Sequence, residues 1–253
     1  MPRKVLALLL VHANHVVPVS ALISELWDDQ PPPSAPTTLQ TYIVQIRRVL
    51  RCTLGLSAAE VSNDILCTWS GAYQFKADHV DLYEFTRLSA RGQQQLGEGD
   101  VAGGMQTLQS ALALWRGPAL VDVRAGRLLQ AEVSRLHESR LTVCQKHIEA
   151  ALQLGLHQEV LGELLWLAAQ HPLHENLHAQ YMIALYRCGR RNDALHAYQR
   201  LRASLVRELG LEPSLRLRRL HQAMLSGDPV LDTWPAGDAV LPEGQPTRVV
   251  RAG

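Results

Sequence analysis

The residues best suited to chemistry lie in one segment of the chain, residues 34 to 51, SAPTTLQTYIVQIRRVLR. This segment combines arginines with threonines and glutamines. Arginine can donate two hydrogen bonds to guanine or bind a phosphate, while Thr and Gln can hydrogen-bond base edges or phosphates. The chemistry would therefore be recognition of DNA. The same composition is also typical of an amphipathic surface helix, and that simpler interpretation is favoured for the segment taken by itself.

Apolar spacing predicts that this segment is one α-helix. Its apolar residues recur at steps of four, three and four and form one stripe on a helix. The stripe consists of Leu39, Ile43, Ile46 and Leu50. Roughly opposite lie Thr37, Thr41, Val44, Gln45 and Arg48, while Gln40, Arg47 and Arg51 lie beside the stripe. Ser34 is the predicted N-cap, and Pro36 is tolerated in the first turn.

The segments on either side of this helix predict a winged helix-turn-helix. Residues 3 to 12 read as a helix with Val5, Leu6, Leu9 and Leu10 inward, followed by a short helix, ALISELW, with Ser20 as its cap. The turn DDQPPP then stops any continuation. From residue 62 to 76 the period changes to two, with Ser-Gly at the turn of a β-hairpin. The hairpin tip carries no Lys or Arg, so we expect it to cover the core more than to touch DNA.

Composition constrains the class of protein. The chain has 253 residues, 47% of them hydrophobic, and a formal net charge of only +1. The small charge counts against nucleic-acid binding, although a local stripe of arginines can act within a neutral protein. With no apolar run long enough to cross a bilayer and no signal-peptide pattern, we expect a cytoplasmic protein with no membrane partner. The four cysteines are widely spaced and are expected to be reduced core thiols.

Beyond residue 78 the pattern is helical to about residue 224. Three helix pairs are predicted, turning at Gly99, Gly155 and Gly189, and the last two glycines are 34 residues apart, the tetratricopeptide period. Small or apolar residues stand at equivalent crossing positions in the three pairs: Gly104 and Leu108, Val160 and Leu164, and Ala194 and Tyr198. Trp115 and Trp166 are expected in the core. The Pro- and Gly-rich stretch 228–253 is predicted to be a disordered tail.

The remaining residue patterns give little indication of a metal site or of catalysis. His171, His174 and His178 form a dense cluster, but a solvated helix start explains it better than a metal site. No Gly-x-Ser-x-Gly, Cys/His pair or paired-carboxylate motif suggests catalysis, so we expect no enzyme, no catalytic residues, no metal and no cofactor.

Several separate motifs, in order, resemble the Streptomyces antibiotic regulatory protein family of transcriptional activators. They are VVPVSALISELWDDQPPPSAPTTLQTYIVQIRRVL, the wing ending in GAYQF, ALALWRGPAL, HPLHENLHAQYMIALYRCGRRNDAL and LVRELGLEPSLRLRRLHQAML. The resemblance implies a mainly α fold, an OmpR-type winged helix-turn-helix with a β-hairpin wing, followed by a tetratricopeptide-like bacterial transcriptional activation domain. The expected boundaries are 1–77 and 78–227. The family normally has a small sheet before the first helix, and we expect it to be missing here, through a late start codon or truncation.

The resemblance also implies a function. It is binding of double-stranded DNA at direct repeats beside promoters of specialised-metabolite clusters, as a homo-oligomer on DNA, with recruitment of RNA polymerase. Carried over onto this chain, the recognition helix is Pro36 to Leu50. Its expected DNA contacts are Thr37, Thr41, Gln45, Arg48 and Arg51, with Arg47 at a phosphate. No G-x-x-x-x-G-K-[ST] motif is present, as expected for the short, stand-alone form. The alternative is a helical-repeat interaction module whose winged helix no longer binds DNA.

Overall fold

The computed structural model describes residues 1–232 and divides into two compact units, Met1–Cys144 and Gln145–Gly253. The first unit opens with α1 (Pro2–Val11), β1 (Val16–Pro18), α2 (Val19–Trp27) and α3 (Ala35–Leu54). A three-residue helix, α4 (Ala58–Glu60), and a π-helical turn (Val61–Ile65) lead into β2 (Leu66–Trp69) and β3 (Ala72–Phe75). The predicted mainly α fold with a winged helix-turn-helix is confirmed.

The three helices of the winged helix pack around one apolar core. Leu8 and Leu9 of α1, Leu22 of α2, and Leu39 and Ile43 of α3 are all at most 2% exposed. The prediction for α1 was partly wrong, because Ala7 and Leu8 are buried while Leu6 and Leu10 are only partly buried against the core. The first helix is enclosed on more sides than a simple surface helix, so its inward stripe is wider than the four residues predicted.

The wing belongs to a three-stranded antiparallel sheet in the order β1-β3-β2. Val17 lies opposite Tyr73, and Trp69 lies opposite Ala72. The hairpin was predicted, but its first strand begins at Leu66, because residues 61–65 form the π-helical turn. The alternation expected for Ile65, Cys67 and Trp69 is absent, since both Leu66 and Cys67 are buried.

The first unit continues with α5 (Asp81–Gly97), α6 (Val101–Ala113) and the start of α7 (Arg127–Gln153). Helices α5 and α6 approach closely where two glycines face each other. A Cβ on Gly92 would lie 2.7 Å from the Leu108 side chain, and one on Gly104 would lie 3.1 Å from the Gly92 carbonyl. Gly104 and Leu108, predicted at the helix crossing, are both buried.

The second unit holds the end of α7, α8 (His157–Gln170), α9 (Glu175–Arg187), α10 (Arg191–Leu209) and α11 (Leu215–Ser226). A 3-10 turn (Pro229–Asp232) follows. The predicted turns at Gly155 and Gly189 are confirmed, with φ of +80° and +75°, a region that favours glycine. The crossing positions Val160, Leu164, Ala194 and Tyr198 are buried.

Several smaller predictions were wrong or lie outside the described residues. Trp166 is 58% exposed, because it lies on the outer side of α8, whereas Trp115 packs edge-on against Phe85. Cys52 is exposed at the end of α3 and is not a core thiol. Pro18, not Ser20, occupies the N-cap position of α2. The predicted tail, 228–253, lies outside the described residues from 233 onward. Within residues 1–232, no helix is long and apolar enough to span a membrane.

Candidate nucleic-acid interface

Helix α3 is the element that presents the candidate DNA-contacting residues. Three of its apolar residues fix it to the core of the winged helix, with Leu39, Ile43 and Ile46 at most 5% exposed. Ser34 occupies the predicted N-cap position, but its side chain makes no capping hydrogen bond. At the other end Gly55 adopts φ +69°, and its amide donates to the Arg51 carbonyl, which ends the helix. The stripe therefore sets which side of α3 faces outward.

Five of the six predicted site residues lie exposed on this outward side: Thr37, Thr41, Gln45, Arg48 and Arg51. The Thr41 hydroxyl donates to the Thr37 carbonyl at 3.0 Å. Because its proton is used within the helix, Thr41 can only accept a hydrogen bond from a DNA base in this rotamer. The structure brings these side chains together on one helix surface, as the spacing predicted for all of them except Arg51, which was expected beside the apolar stripe.

The charge on this surface is unusually one-sided for a protein of net charge +1. No residue from 30 to 59 is acidic, and α3 contains three arginines. Within residues 1–232, Arg48 and Arg51 have no ion pair or side-chain hydrogen bond, whereas arginines such as Arg87 and Arg202 bind Glu84 and Glu212. The guanidinium groups of Arg48 and Arg51 are thus available to an anionic partner.

Arg47 differs from the other candidates because its guanidinium bridges α3 and the wing. Its Nε and Nη2 donate to the Leu66 carbonyl at 3.2 and 2.6 Å, and Nη2 also donates to the Thr68 hydroxyl at 2.8 Å. The side chain is half-buried. These bonds leave Nη1 as the nitrogen with which Arg47 could contact a phosphate. No local pattern indicated this bridge, because Leu66 is 19 residues away.

The wing itself covers the core with one side and exposes Trp69. Tyr73 and Phe75 are buried in the core of the winged helix. Trp69 is 52% exposed, and its Nε1 donates to the Gln74 side chain at 3.1 Å. The residues between the two strands, Ser70 and Gly71, carry no charge. The wing thus has a covering role, and its tip provides no cation for a phosphate.

The carboxylate of Glu25 in α2 is buried and connects this helix to the start of α7. It is 2% exposed and accepts hydrogen bonds from the amides of Gly126, Leu128 and Leu129, the last two at 2.9 and 3.1 Å. The acceptor lies at the N-terminus of α7, where a negative charge is favoured. Sequence reasoning missed Glu25, although its position three residues after Leu22 and one before Leu26 places it on the apolar side of α2.

The histidine cluster serves the second unit rather than the interface. His174 occupies the N-cap position of α9, where its Nδ1 accepts from the Leu177 amide, and its Nε2 lies 3.0 Å from the Gln145 side chain. The side chain of His178 is half-buried with both ring nitrogens shielded from solvent, and this burial lowers its pKa. A capping role for His174 accounts for the start of α9.

A winged helix-turn-helix whose third helix exposes arginines with no ion pair inside residues 1–232, followed along the chain by helix pairs, defines the class of winged-helix transcriptional regulators. Residues 2–63 match the family described as "Transcriptional regulatory protein, C terminal", and residues 80–225 match the "Bacterial transcriptional activator domain". The chain belongs to the Streptomyces antibiotic regulatory protein family of transcriptional activators.

Individual relatives support this assignment along nearly the whole chain. The regulatory protein DnrI of Streptomyces peucetius is 49% identical over 91% of this chain and 86% of its own length. The transcriptional regulator RedD of Streptomyces coelicolor is 35% identical over 90% of this chain and 65% of its own. The structure of Mycobacterium tuberculosis EmbR in complex with a low-affinity phosphopeptide aligns with a TM-score of 0.81 at 30% identity, covering 93% of this chain and 62% of EmbR. These relatives are regulators and not enzymes.

Proposed function

We propose that this transcriptional regulator binds direct repeats beside promoters of a specialised-metabolite gene cluster, with α3 in the major groove. In this proposal Thr37, Thr41, Gln45, Arg48 and Arg51 contact base edges or phosphates. Arg47 holds the wing and reaches a phosphate through Nη1. The observation that carries the proposal is the acid-free surface of α3 with Arg48 and Arg51 unpaired within residues 1–232.

Direct repeats place constraints on how protomers would meet. Two copies bound to direct repeats share one orientation along the DNA, so any contact between them is head-to-tail and uses two different surfaces. We propose that such a homo-oligomer forms on DNA and that the helical domain recruits RNA polymerase. The support for these finer statements is the family and its activation domain at residues 80–225.

DNA binding is tested with the purified full chain and promoter fragments from its own gene neighbourhood, titrated against salt. Sequence-selective binding is expected, with affinity falling as salt rises because phosphate contacts release counterions. Footprints at two direct repeats would support head-to-tail placement. With RNA polymerase holoenzyme present, adding the regulator should raise polymerase occupancy of the promoter. An occupancy that is the same with and without the regulator would refute recruitment. Equal binding to promoter and scrambled DNA would refute sequence-specific recognition, and binding to neither would favour the interaction-module alternative, whose winged helix no longer binds DNA.

The role of Arg48 is tested by Arg48→Ala, with Arg91→Ala as the matched control. Arg91 is an exposed arginine of α5 that has no ion pair within residues 1–232. If Arg48 contacts a base, its loss should reduce discrimination between cognate and scrambled DNA by about 10- to 100-fold. Equal weakening on both DNAs would make Arg48 a phosphate contact. Arg91→Ala should leave both affinities unchanged.

A further inference from the structure

An exposed valine lies on the polar surface of α3, midway along the helix between the candidate contacts. Val44 is 63% exposed, although Ile43 beside it is 2% exposed. It lies midway along the chain between Thr37 and Arg51, the first and last candidate contacts. At about 100° per residue, Thr37, Arg48 and Arg51 all lie within about 40° of Val44 around the helix axis. Any partner that covers those side chains must also cover Val44.

Within residues 1–232, no packing contact of the core requires valine at this position. Val44 is absent from the apolar core cluster and from the residues packed against it. Valine also forms helices less readily than alanine, because its branched side chain loses χ1 freedom in a helix. A single exposed apolar residue is common on protein surfaces. The unusual feature is its place beside Thr37, Arg48 and Arg51 on an otherwise polar surface.

Major-groove chemistry supplies a partner for such a side chain. The C5-methyl group of thymine is the apolar feature that a base pair presents there, and it distinguishes thymine from cytosine. A short, branched side chain such as valine can meet this methyl group only when the helix lies deep in the groove. Thr41, one turn earlier, donates its hydroxyl proton to the Thr37 carbonyl, so the Thr41 hydroxyl can only accept a hydrogen bond from a base.

We propose that Val44 is a specificity-determining residue that contacts the methyl group of one thymine in each half of the operator. The inference rests on the proposed entry of α3 into the major groove. It adds an apolar contact to a set of candidate residues that is otherwise entirely polar.

The test replaces single thymines by deoxyuridine, which removes the methyl group and leaves every base-pair hydrogen bond in place. The probe is the best-bound duplex that the wild-type full chain selects from a randomised pool, with each thymine replaced in turn. In each half-site there should be one thymine whose replacement alone weakens wild-type binding about fourfold, the effect of losing one buried methyl group. Val44→Ala should bind the thymine duplex more weakly and lose its sensitivity to that same replacement.

Val49→Ala is the matched control. Val49 is also 63% exposed on α3, but lies about 140° away from Val44 around the axis. This variant should keep the full response to deoxyuridine. Circular dichroism checks that both alanine variants remain helical, which is expected because alanine favours helix.

The outcomes separate the two proposals. If the wild-type chain enriches no sequence from the pool, both the proposed function and the role of Val44 are refuted. If it binds selectively but Val44→Ala responds to deoxyuridine as the wild type does, the role of Val44 alone is refuted. Loss of the response in Val49→Ala instead of Val44→Ala would place the contact on a different side of α3.

Discussion

Replacing Glu25 by glutamine should destabilise the first unit through the start of α7. Glu25 Oε2 accepts from the amides of Leu128 and Leu129, and Oε1 accepts from Gly126. In Glu25→Gln one of these oxygens becomes an NH₂ donor. Whichever way the amide is oriented, at least one backbone N–H then faces a donor in place of an acceptor.

The magnitude follows from the burial of this carboxylate at 2% exposure. A buried backbone donor left without an acceptor costs about 1–3 kcal/mol. Removing a negative charge from a helix N-terminus costs about 0.3–1 kcal/mol, and up to about 2 kcal/mol in a partly buried site. Together these effects predict a loss of about 2–4 kcal/mol in the free energy of unfolding.

Urea unfolding of the full chain measures this loss, and amide hydrogen exchange locates it. The Leu128 and Leu129 amides should exchange faster in Glu25→Gln. Glu138→Gln, the same charge removal at an exposed position of α7, is the matched control. If both variants unfold within about 0.5 kcal/mol of the wild type, the usual scatter for surface changes, the carboxylate does not hold α7 as argued.

Three further changes test other parts of the structure. Arg47→Lys cannot make the paired contacts of a guanidinium, so proteolysis within the wing should accelerate; unchanged cleavage would contradict the bridging role. In thermal unfolding, Gly126→Ala should lower the free energy of unfolding by about 1–3 kcal/mol, because its Cβ would lie 2.3 Å from the Glu25 carbonyl oxygen. The control Gly97→Ala, whose Cβ would have nothing within 4 Å, should be neutral or stabilising. Burial lowers the pKa of His178, so the unfolded chain binds its proton more readily, and stability should fall as pH drops below about 6.5. His178→Gln should reduce that pH dependence of urea unfolding and exposed His196→Gln should not.

Patterns that repeat along one helix were predictable from the sequence. The stripe Leu39, Ile43 and Ile46 placed α3 and its outward surface correctly, since helical geometry alone relates residues three and four apart. Glycines at Gly155 and Gly189 likewise marked turns, because the chain adopts positive φ there. In both cases the physical cause lies within a few residues of the signal.

Contacts between distant segments were not predictable in the same way. The pairing of β1 with β3 joins Val17 to Tyr73, and the three-residue β1 is too short to show an alternating pattern. The Arg47 bridge spans 19 residues, and the Glu25 cap spans more than 100. Each depends on the tertiary fold bringing a donor to an acceptor. An acidic residue on the apolar side of α2 was the one local signal available.

The net charge of +1 was the main sequence argument against DNA binding, and the distribution of ion pairs weakens it. Arginines elsewhere, including Arg190 and Arg202, are paired with carboxylates and contribute little to the field around the protein. Arg48 and Arg51 have no such partner within residues 1–232, and their neighbours carry no acid. A few local cations acting on phosphates give a shallow salt dependence, roughly −0.9 in log K per log salt for each phosphate neutralised. We therefore propose that discrimination between sequences comes mainly from base contacts made by the exposed side chains of α3 and not from the overall charge.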